Sequence, residues 1–158
     1  RCIPWLMRYN MKGFTVIEII IVIVILAVLT AMALTSFSGF RQNQTLNSDT
    51  SKIVSVINEA RSKTLSSQYF SQYGARVESS KVILFKGATY SGGGISTTTI
   101  STALEISGIS LAGGGSDVVF QKITGKTDNY GAITIRVKTN TSKTKTINIS
   151  STGITNVQ

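Results

Sequence analysis

The chain of 158 residues contains no histidine, a single cysteine and a single proline. Without histidine it lacks the commonest general base, the usual zinc ligand and any nucleophile that an imidazole would activate. Because Cys2 has no second cysteine to pair with, a disulfide within the chain is excluded. The seven carboxylates are scattered without a close pair, which argues against glycosidase-type chemistry. These absences predict no enzyme, no cofactor and no metal site.

Acidic residues are also scarce relative to basic ones. Sixteen Lys and Arg residues against seven Asp and Glu give a net charge of +9. Three of the cations, Arg1, Arg8 and Lys12, lie in residues 1–13, which contain no acid. The remainder of the chain is still basic if this segment is removed.

What the chain does have is a long apolar run from Phe14 to Phe37, in which Glu18 is the only ionised residue. The run exceeds the roughly 20 residues that suffice for a helix to cross a bilayer. Its unbroken stretch of Ile, Val and Leu is too long for a buried strand and favours a helix. We therefore predict a membrane-spanning helix over 14–37.

The flanking charges predict the orientation of this span. Arg8 and Lys12 precede it, and basic residues next to a span tend to stay in the cytoplasm. The chain is then a single-pass protein of the cytoplasmic (inner) membrane, and everything after Arg41 lies outside the cytoplasm.

Glu18 is the feature that needs a reason. A carboxylate inside a membrane helix costs about 2.5–3.5 kcal/mol and usually has a specific partner. A cut between Gly13 and Phe14 would create such a partner, the new terminal amine, one helical turn from Glu18. Between staggered subunits the same two groups would form a pair that is costly to leave incomplete, so it would set their register.

Two simpler interpretations compete with this one. An ordinary secretory signal would be cut near Ala31-Met32-Ala33 and would release a soluble β domain. A plain single-pass anchor would not be cut at all. Neither interpretation gives Glu18 a role.

The segment from Gly13 to Glu18, Gly-Phe-Thr-Val-Ile-Glu, resembles the class III signal of type IV pilins and type II secretion pseudopilins. The resemblance implies that 1–13 is a leader, with translation starting at Met7 or Met11. It further implies that a membrane aspartyl peptidase cuts after Gly13 and methylates Phe14, and that Glu18 is the assembly glutamate. Major pilins of this family often have a proline in the span and a C-terminal disulfide, so their absence here points to a minor subunit.

Beyond the span, apolar residues recur at helical spacing. Ile53, Ile57 and Ala60 form a stripe that Leu46 and Leu65 extend. The pattern predicts an amphipathic continuation of the helix over 38–73, ending near Tyr69 to Tyr73.

From 74 to 158 the apolar period changes to two, which is typical of β-strands. Triple glycines at 92–94 and 113–115 predict turns. The predicted fold is α+β: a long N-terminal helix packed on an antiparallel β domain of about five to eight strands, the pilin fold. The predicted strands or strand regions are Lys81–Lys86, Ile95–Ile106, Asp117–Gln121, the alternation of Ile133, Ile135 and Val137, and a last strand with Ile147 and Ile149.

Two further segments sharpen the resemblance. The Ala60-Arg61-Ser62 sequence on the helix, followed by an all-β region whose late strand ends at Gly153, is similar to GspH/FimT-like minor pilins. That family implies a place near the tip of a pilus or pseudopilus, where the subunit helps to start assembly with other subunits. Pilus, secretion pseudopilus and competence apparatus all stay open.

Nucleic acid is the alternative partner, since some FimT-like pilins bind DNA. Four cations near the C-terminal end form a candidate phosphate-binding cluster: Arg136, Lys138, Lys143 and Lys145. A solvated basic hairpin explains them more simply, and we favour it. A calcium loop using Asp117, Asp128 and Asn129 is rejected because the spacing is wrong; a turn before Gly131 accounts for residues 128–131.

Overall fold

The computed structural model describes residues 13–158, without the side chains of residues 33–36 and 68. Of the predicted leader only Gly13 is described, so the candidate starts Met7 and Met11 lie outside the described residues. The chain divides into two units, one ending at Gly39 and one running from Phe40 to Gln158. Helix α1, Val16–Leu65, contributes residues to both.

In the first unit, α1 is apolar on all sides. It is the one helix among residues 13–158 that is long and apolar enough to cross a bilayer, and its most apolar stretch is entirely exposed. Ile19, Val22 and Leu26 are each about half exposed. Such a helix needs lipid or other protein around it, because water is a poor solvent for an all-apolar surface.

The second unit joins the rest of α1 to two antiparallel sheets of four strands each, which confirms the predicted α+β class. The first sheet has the order β3-β2-β1-β5 and the second has the order β4-β6-β7-β8. The strands of the first are β1 Tyr73–Glu78, β2 Lys81–Lys86, β3 Ser96–Thr99 and β5 Asp117–Val119. Those of the second are β4 Leu104–Leu111, β6 Gly131–Val137, β7 Asn140–Ile149 and β8 Thr155–Val157.

The core lies where one stripe of α1 meets both sheets. Ile53, Ile57 and Ala60 are fully buried, as their spacing predicts. Leu46 is buried with them, whereas Leu65 is 40% exposed, so its predicted place in the stripe is wrong. The sheets contribute inward-facing residues from alternate positions, including Ile133, Ile135 and Val137.

Helix α1 ends at Leu65, earlier than the predicted end near Tyr69 to Tyr73. Beyond Leu65 the backbone has positive φ values at Ser67, Tyr69 and Phe70, which a right-handed helix does not accommodate, and Thr64 bonds the following strand to the helix. The buried Thr64 hydroxyl donates to the Ala60 carbonyl at 2.8 Å and accepts from the Tyr73 amide at 2.9 Å. The first residue of β1 is thereby bonded to the last turn of the helix, and a short 3₁₀ turn, Gln68–Phe70, connects the two.

The β region differs from the prediction in several places. Strand β1, Tyr73–Glu78, was not among the predicted strands, and its first residue falls in the predicted helix continuation. The predicted strand Ile95–Ile106 is two strands in different sheets, β3 and β4, because the chain turns where the Leu104 amide donates to the Ser101 carbonyl. Strand β8 follows Gly153 and was not predicted, since three residues are too few for a periodic pattern. Strand β2 has the predicted bounds.

Asp49 holds the crossing between the two sheets. Its side chain is buried, and it accepts a hydrogen bond of 2.6 Å from the amide of Ser101, between β3 and β4. The half-exposed Lys52 pairs with the same carboxylate at 2.7 Å. A buried carboxylate is tolerated here because it has both a backbone donor and a cation.

We predict that Asp49→Ala lowers the free energy of unfolding of residues 40–158 by about 1–3 kcal/mol, because it leaves the Ser101 amide without its acceptor. Urea denaturation followed by circular dichroism measures this. Lys52→Gln is the control: it removes only a partly exposed ion pair and should cost less than about 1 kcal/mol. Equal effects of the two variants would contradict the role given to the Asp49–Ser101 bond.

Candidate functional site

The predicted cleavage position lies in an exposed, non-helical segment. Gly13, Phe14 and Thr15 precede α1, and Phe14 is 79% exposed. A side chain built on Gly13 would meet no atom within 4 Å. Packing within the described residues therefore does not require glycine at this position.

Thr15 caps the helix, a role that the sequence reasoning missed. Its carbonyl accepts from the amides of Glu18 and Ile19 at 3.1 and 3.3 Å, and its hydroxyl accepts from the Glu18 amide at 3.3 Å. Threonine followed three residues later by glutamate is the sequence signature of a capping box, so the signal was present. Glu18 thus lies in the first turn of α1, where a carboxylate is favoured by the helix dipole.

The surroundings of Glu18 are apolar and exposed. Its neighbours Ile17 and Ile19 both project outward. Among residues 13–158 no cation pairs with Glu18. A single chain gives this carboxylate a place at the helix terminus, and it leaves the carboxylate open to a group from another molecule.

The four candidate DNA-binding cations are not brought together on one face. Arg136 pairs with Thr144, and the preceding residue Ile135 pairs with Lys145. Because successive residues of a strand face opposite sides of the sheet, Arg136 and Lys145 lie on opposite sides. Lys138 is exposed in the turn between β6 and β7, and Lys143 lies in a register shift of β7. Alternation along the strands separates Arg136 from Lys145.

Arg136 already has a partner in the sheet. Its Nε donates to the Glu105 carboxylate on β4 at 2.6 Å. The pair joins adjacent strands across one face, which is an ordinary way to stabilise a sheet. This use of Arg136 weakens the case for a phosphate-binding cluster.

The carboxylates considered for calcium have other contacts. Asp117 pairs with Arg76 at 3.1 Å, and Asp128 accepts from the Gln121 amide group at 2.9 Å. The Asn129 amide donates to the Thr127 hydroxyl, which forms a local turn. Within residues 13–158 no group of three or more acidic side chains is placed to hold a metal ion.

Arg61 joins the two late glycine-containing loops to α1. Its Nε donates to the Gly125 carbonyl at 3.2 Å, and its Nη2 donates to the Thr152 carbonyl at 3.4 Å. Gly153 has φ +80°, and a side chain there would overlap the Gly125 carbonyl and crowd the Arg61 side chain. The arginine and the glycine singled out in the sequence therefore meet at one point, which we name the Arg61 clamp (Arg61, Gly125, Thr152 and Gly153).

We predict that Gly153→Ala lowers the free energy of unfolding of residues 40–158 by about 2–4 kcal/mol, because it adds a steric overlap to an unfavourable backbone conformation. Gly114→Ala is the matched control, since Gly114 has a similar φ of +74° with open space around it. Its cost should be only the conformational part, about 1 kcal/mol. Chemical denaturation compares them; no difference between the two would rule out the overlap.

Comparison with known families places the N-terminal segment. Residues 8–34 match the family model described as the prokaryotic N-terminal methylation motif. The matched region contains Gly13, Phe14, Thr15 and Glu18, and it ends inside the apolar part of α1. No curated protein matches the chain.

Comparison with solved structures places the fold. The chain is similar to two crystal structures of the type IV minor pilin FimU of Pseudomonas aeruginosa, strain PAO1. The first is 14% identical, with a TM-score of 0.55 over 72% of this chain and 92% of that one. The second is 13% identical, with a TM-score of 0.58 over 75% of this chain and 92% of that one. The chain thus carries the methylation motif of type IV pilins together with a minor-pilin-like fold.

Proposed function

We propose that this chain is a type IV minor pilin, a structural subunit that joins a filament through its N-terminal helix and catalyses no reaction. The observation that carries the proposal is the methylation motif, which covers the start of a long, fully exposed apolar helix. The domain that follows has a minor-pilin-like fold. The partners are a prepilin peptidase that also methylates, and other pilin subunits.

The peptidase cuts between Gly13 and Phe14. The accessibility of this segment supports the assignment, since a protease needs an extended, exposed backbone around the bond it cuts. Glycine at 13 allows close approach to that backbone. Before the cut the chain is held in the cytoplasmic membrane by the span, with its β domain outside the cytoplasm.

Glu18 then compensates the new charge. The Phe14 ammonium produced by the cut lies next to a helix N-terminus, where the helix dipole disfavours a positive charge. Glu18, in the first turn of α1, supplies the opposite charge within the chain or to a staggered neighbour. The exposed Ile, Val and Leu side chains around it supply the packing between subunits.

Within the minor pilins we place this chain with the GspH/FimT-like group, near the tip of the filament. The Arg61 clamp supports this finer assignment, because it gives the helix arginine and the late glycine a shared physical reason to occur together. Similarity to a minor pilin of a type IV pilus supports a pilus over a secretion pseudopilus.

We expect the mature protein to begin with Phe14 and to carry one extra methyl group on its terminal amine. Mass spectrometry and N-terminal sequencing of the protein from its native membrane measure both. Gly13→Val should leave the protein uncut, because its side chain blocks the approach to the bond. A mature chain that retains Lys12, or one that begins just after Ala33, would refute the proposal.

We expect Glu18→Ala to be cut and kept in the membrane but to enter filaments poorly. Thr15→Val is the matched control: it removes the capping hydroxyl, at a cost of about 0.5–2 kcal/mol to the helix, and keeps the carboxylate. It should be incorporated almost normally, as measured by immunoblots of sheared filaments and of membranes. Normal incorporation of Glu18→Ala would show that the carboxylate has no assembly role.

If both variants fail to enter filaments to the same extent, the capping box rather than an intersubunit pair is what assembly needs. Glu18→Gln separates charge from hydrogen bonding, since it keeps the shape of the side chain without its charge. We expect it to fail like Glu18→Ala.

A further inference from the structure

Two loops at the C-terminal end of α1 project apolar side chains into solvent. One loop follows Leu65 and contains Tyr69 and Phe70, which are 74% and 89% exposed. The other loop, between β5 and β6, contains Ile123, which is 87% exposed. We name the exposed region formed by Leu65, Tyr69, Phe70 and Ile123, with Lys86 and Lys122, the helix-end surface.

The two loops are joined to each other. The Lys122 ammonium donates to the Phe70 carbonyl at 2.6 Å, so the loop that contains Phe70 is bonded to the loop that contains Lys122 and Ile123. Gly125, two residues further on, lies against the Leu65 side chain. The segments that carry the exposed apolar side chains are therefore held next to one another at the end of α1.

The backbone of this surface is strained. Tyr69, Phe70 and Ile123 have φ values of 52°, 51° and 70°, a conformation that bulky and β-branched residues rarely adopt. None of the three belongs to the hydrophobic core of the second unit. Backbone strain at exposed side chains that do not serve the core is typical of binding surfaces.

The charges around these side chains are positive. Lys86 lies 5.1 Å from the centre of the Tyr69 ring, and Lys122 and Lys126 flank Ile123 and are exposed. The nearby acids are already engaged: Glu59 pairs with Lys63, and Asp128 accepts from Gln121. The exposed apolar side chains thus have exposed positive charges around them.

We propose that the helix-end surface docks onto an anionic lipid bilayer. Protruding apolar side chains enter the boundary between headgroups and acyl chains without needing a complementary cavity, and surrounding lysines are attracted to anionic headgroups. Single-stranded nucleic acid fits less well, because only two of the four apolar side chains, Tyr69 and Phe70, offer a flat face for a base to stack on, whereas Leu65 and Ile123 do not.

All residues of the helix-end surface belong to the second unit. Phe40, where the second unit begins, and Leu65 are 25 residues apart on α1, which corresponds to about 38 Å of helix. Docking at the helix-end surface requires neither cleavage at Gly13 nor assembly into a filament. It therefore stands or falls independently of the proposed function.

The test uses residues 40–158, which should fold alone because the core lies wholly between Leu46 and Ile149. The only tryptophan of the chain, Trp5, is outside this fragment, so Phe70→Trp introduces a single tryptophan, which can be excited selectively over the tyrosines. With vesicles of phosphatidylcholine containing about one third phosphatidylglycerol, we expect a blue shift of its emission and co-sedimentation of the fragment. Vesicles of phosphatidylcholine alone should give much weaker binding.

Thr139→Trp is the matched fluorophore control. Thr139 is exposed in the turn between β6 and β7. The amide of its neighbour Lys138 donates to the Ala103 carbonyl, which lies close in sequence to Ser101, the partner of Asp49. The control position is therefore near Asp49 and not near the C-terminal end of α1. Its tryptophan should show no blue shift when the fragment binds vesicles. A shift at 139 equal to that at 70 would mean nonspecific adsorption of a basic protein and would overturn the proposal.

Two sets of variants test the side chains directly. Phe70→Ser combined with Ile123→Ser should weaken vesicle binding by about tenfold or more. As single variants, Lys86→Gln should weaken vesicle binding more than Lys138→Gln does, although each removes one exposed positive charge. Circular dichroism shows whether each variant keeps its fold. If the double serine variant does not fold, the vesicle binding of the wild-type fragment and the emission of the two Trp variants still test the proposal.

The proposal is overturned if the wild-type fragment does not bind anionic vesicles. It is also overturned if the double serine variant remains folded and binds as well as the wild type, or if a single-stranded oligonucleotide, rather than vesicles, is bound in a manner that depends on Phe70. Binding that depends on both anionic lipid and the two apolar side chains supports it.

Discussion

Helix α1 needs two different environments along its length, one for an all-apolar surface and one for a single apolar stripe, and much of the rest of the structure depends on this constraint. Over residues 16–32, α1 is apolar on nearly every side and its side chains are exposed, so lipid or other protein has to cover it. After Phe40 only one stripe of the helix is apolar, and the two sheets bury it. Ile53, Ile57 and Ala60 are at the centre of that contact, and the sheets supply alternate residues to meet them.

Three polar residues of α1 then decide where the β region attaches. Asp49 holds the crossing from β3 to β4, Thr64 holds the first residue of β1, and Arg61 holds the two late loops. Each reaches a backbone amide or carbonyl of a segment that the apolar contact alone would not position. The helix therefore contributes both the apolar face of the core and the fixed points of the loops around it.

The N-terminal segment joins local helix chemistry to a proposed role between molecules. Thr15 and Glu18 satisfy the start of α1, a requirement of any helix. In the proposed function the Glu18 carboxylate forms an ion pair with the Phe14 terminal ammonium that cleavage creates. The same few residues thus serve the local structure of the helix and, in the proposed function, the processing and assembly of the subunit.

Several features could be predicted from the sequence because they depend on neighbouring residues. The apolar helix, the stripe of Ile53 and Ile57, the bounds of β2 and the alternation of Ile133 to Val137 follow from periodicity, which reports which side chains are buried together. The methylation motif at Gly13 to Glu18 could likewise be recognised from neighbouring residues, and the same residues also indicate that Thr15 caps the helix.

Contacts between distant parts of the chain decided the rest. The end of α1 is joined to β1 by a hydrogen bond from the Tyr73 amide to Thr64. The splitting of 95–106 into strands of different sheets accompanies a hydrogen bond from the Ser101 amide to Asp49. Strand alternation separates Arg136 from Lys145 although they are close in sequence. The sequence by itself determined that a long helix and a β region form and which of their faces are apolar, since these are local properties. Only the tertiary structure decided where elements stop, which loops meet and which charges share a surface. These outcomes depend on contacts between residues that are far apart in sequence, and a local pattern of residues does not show which of them come together.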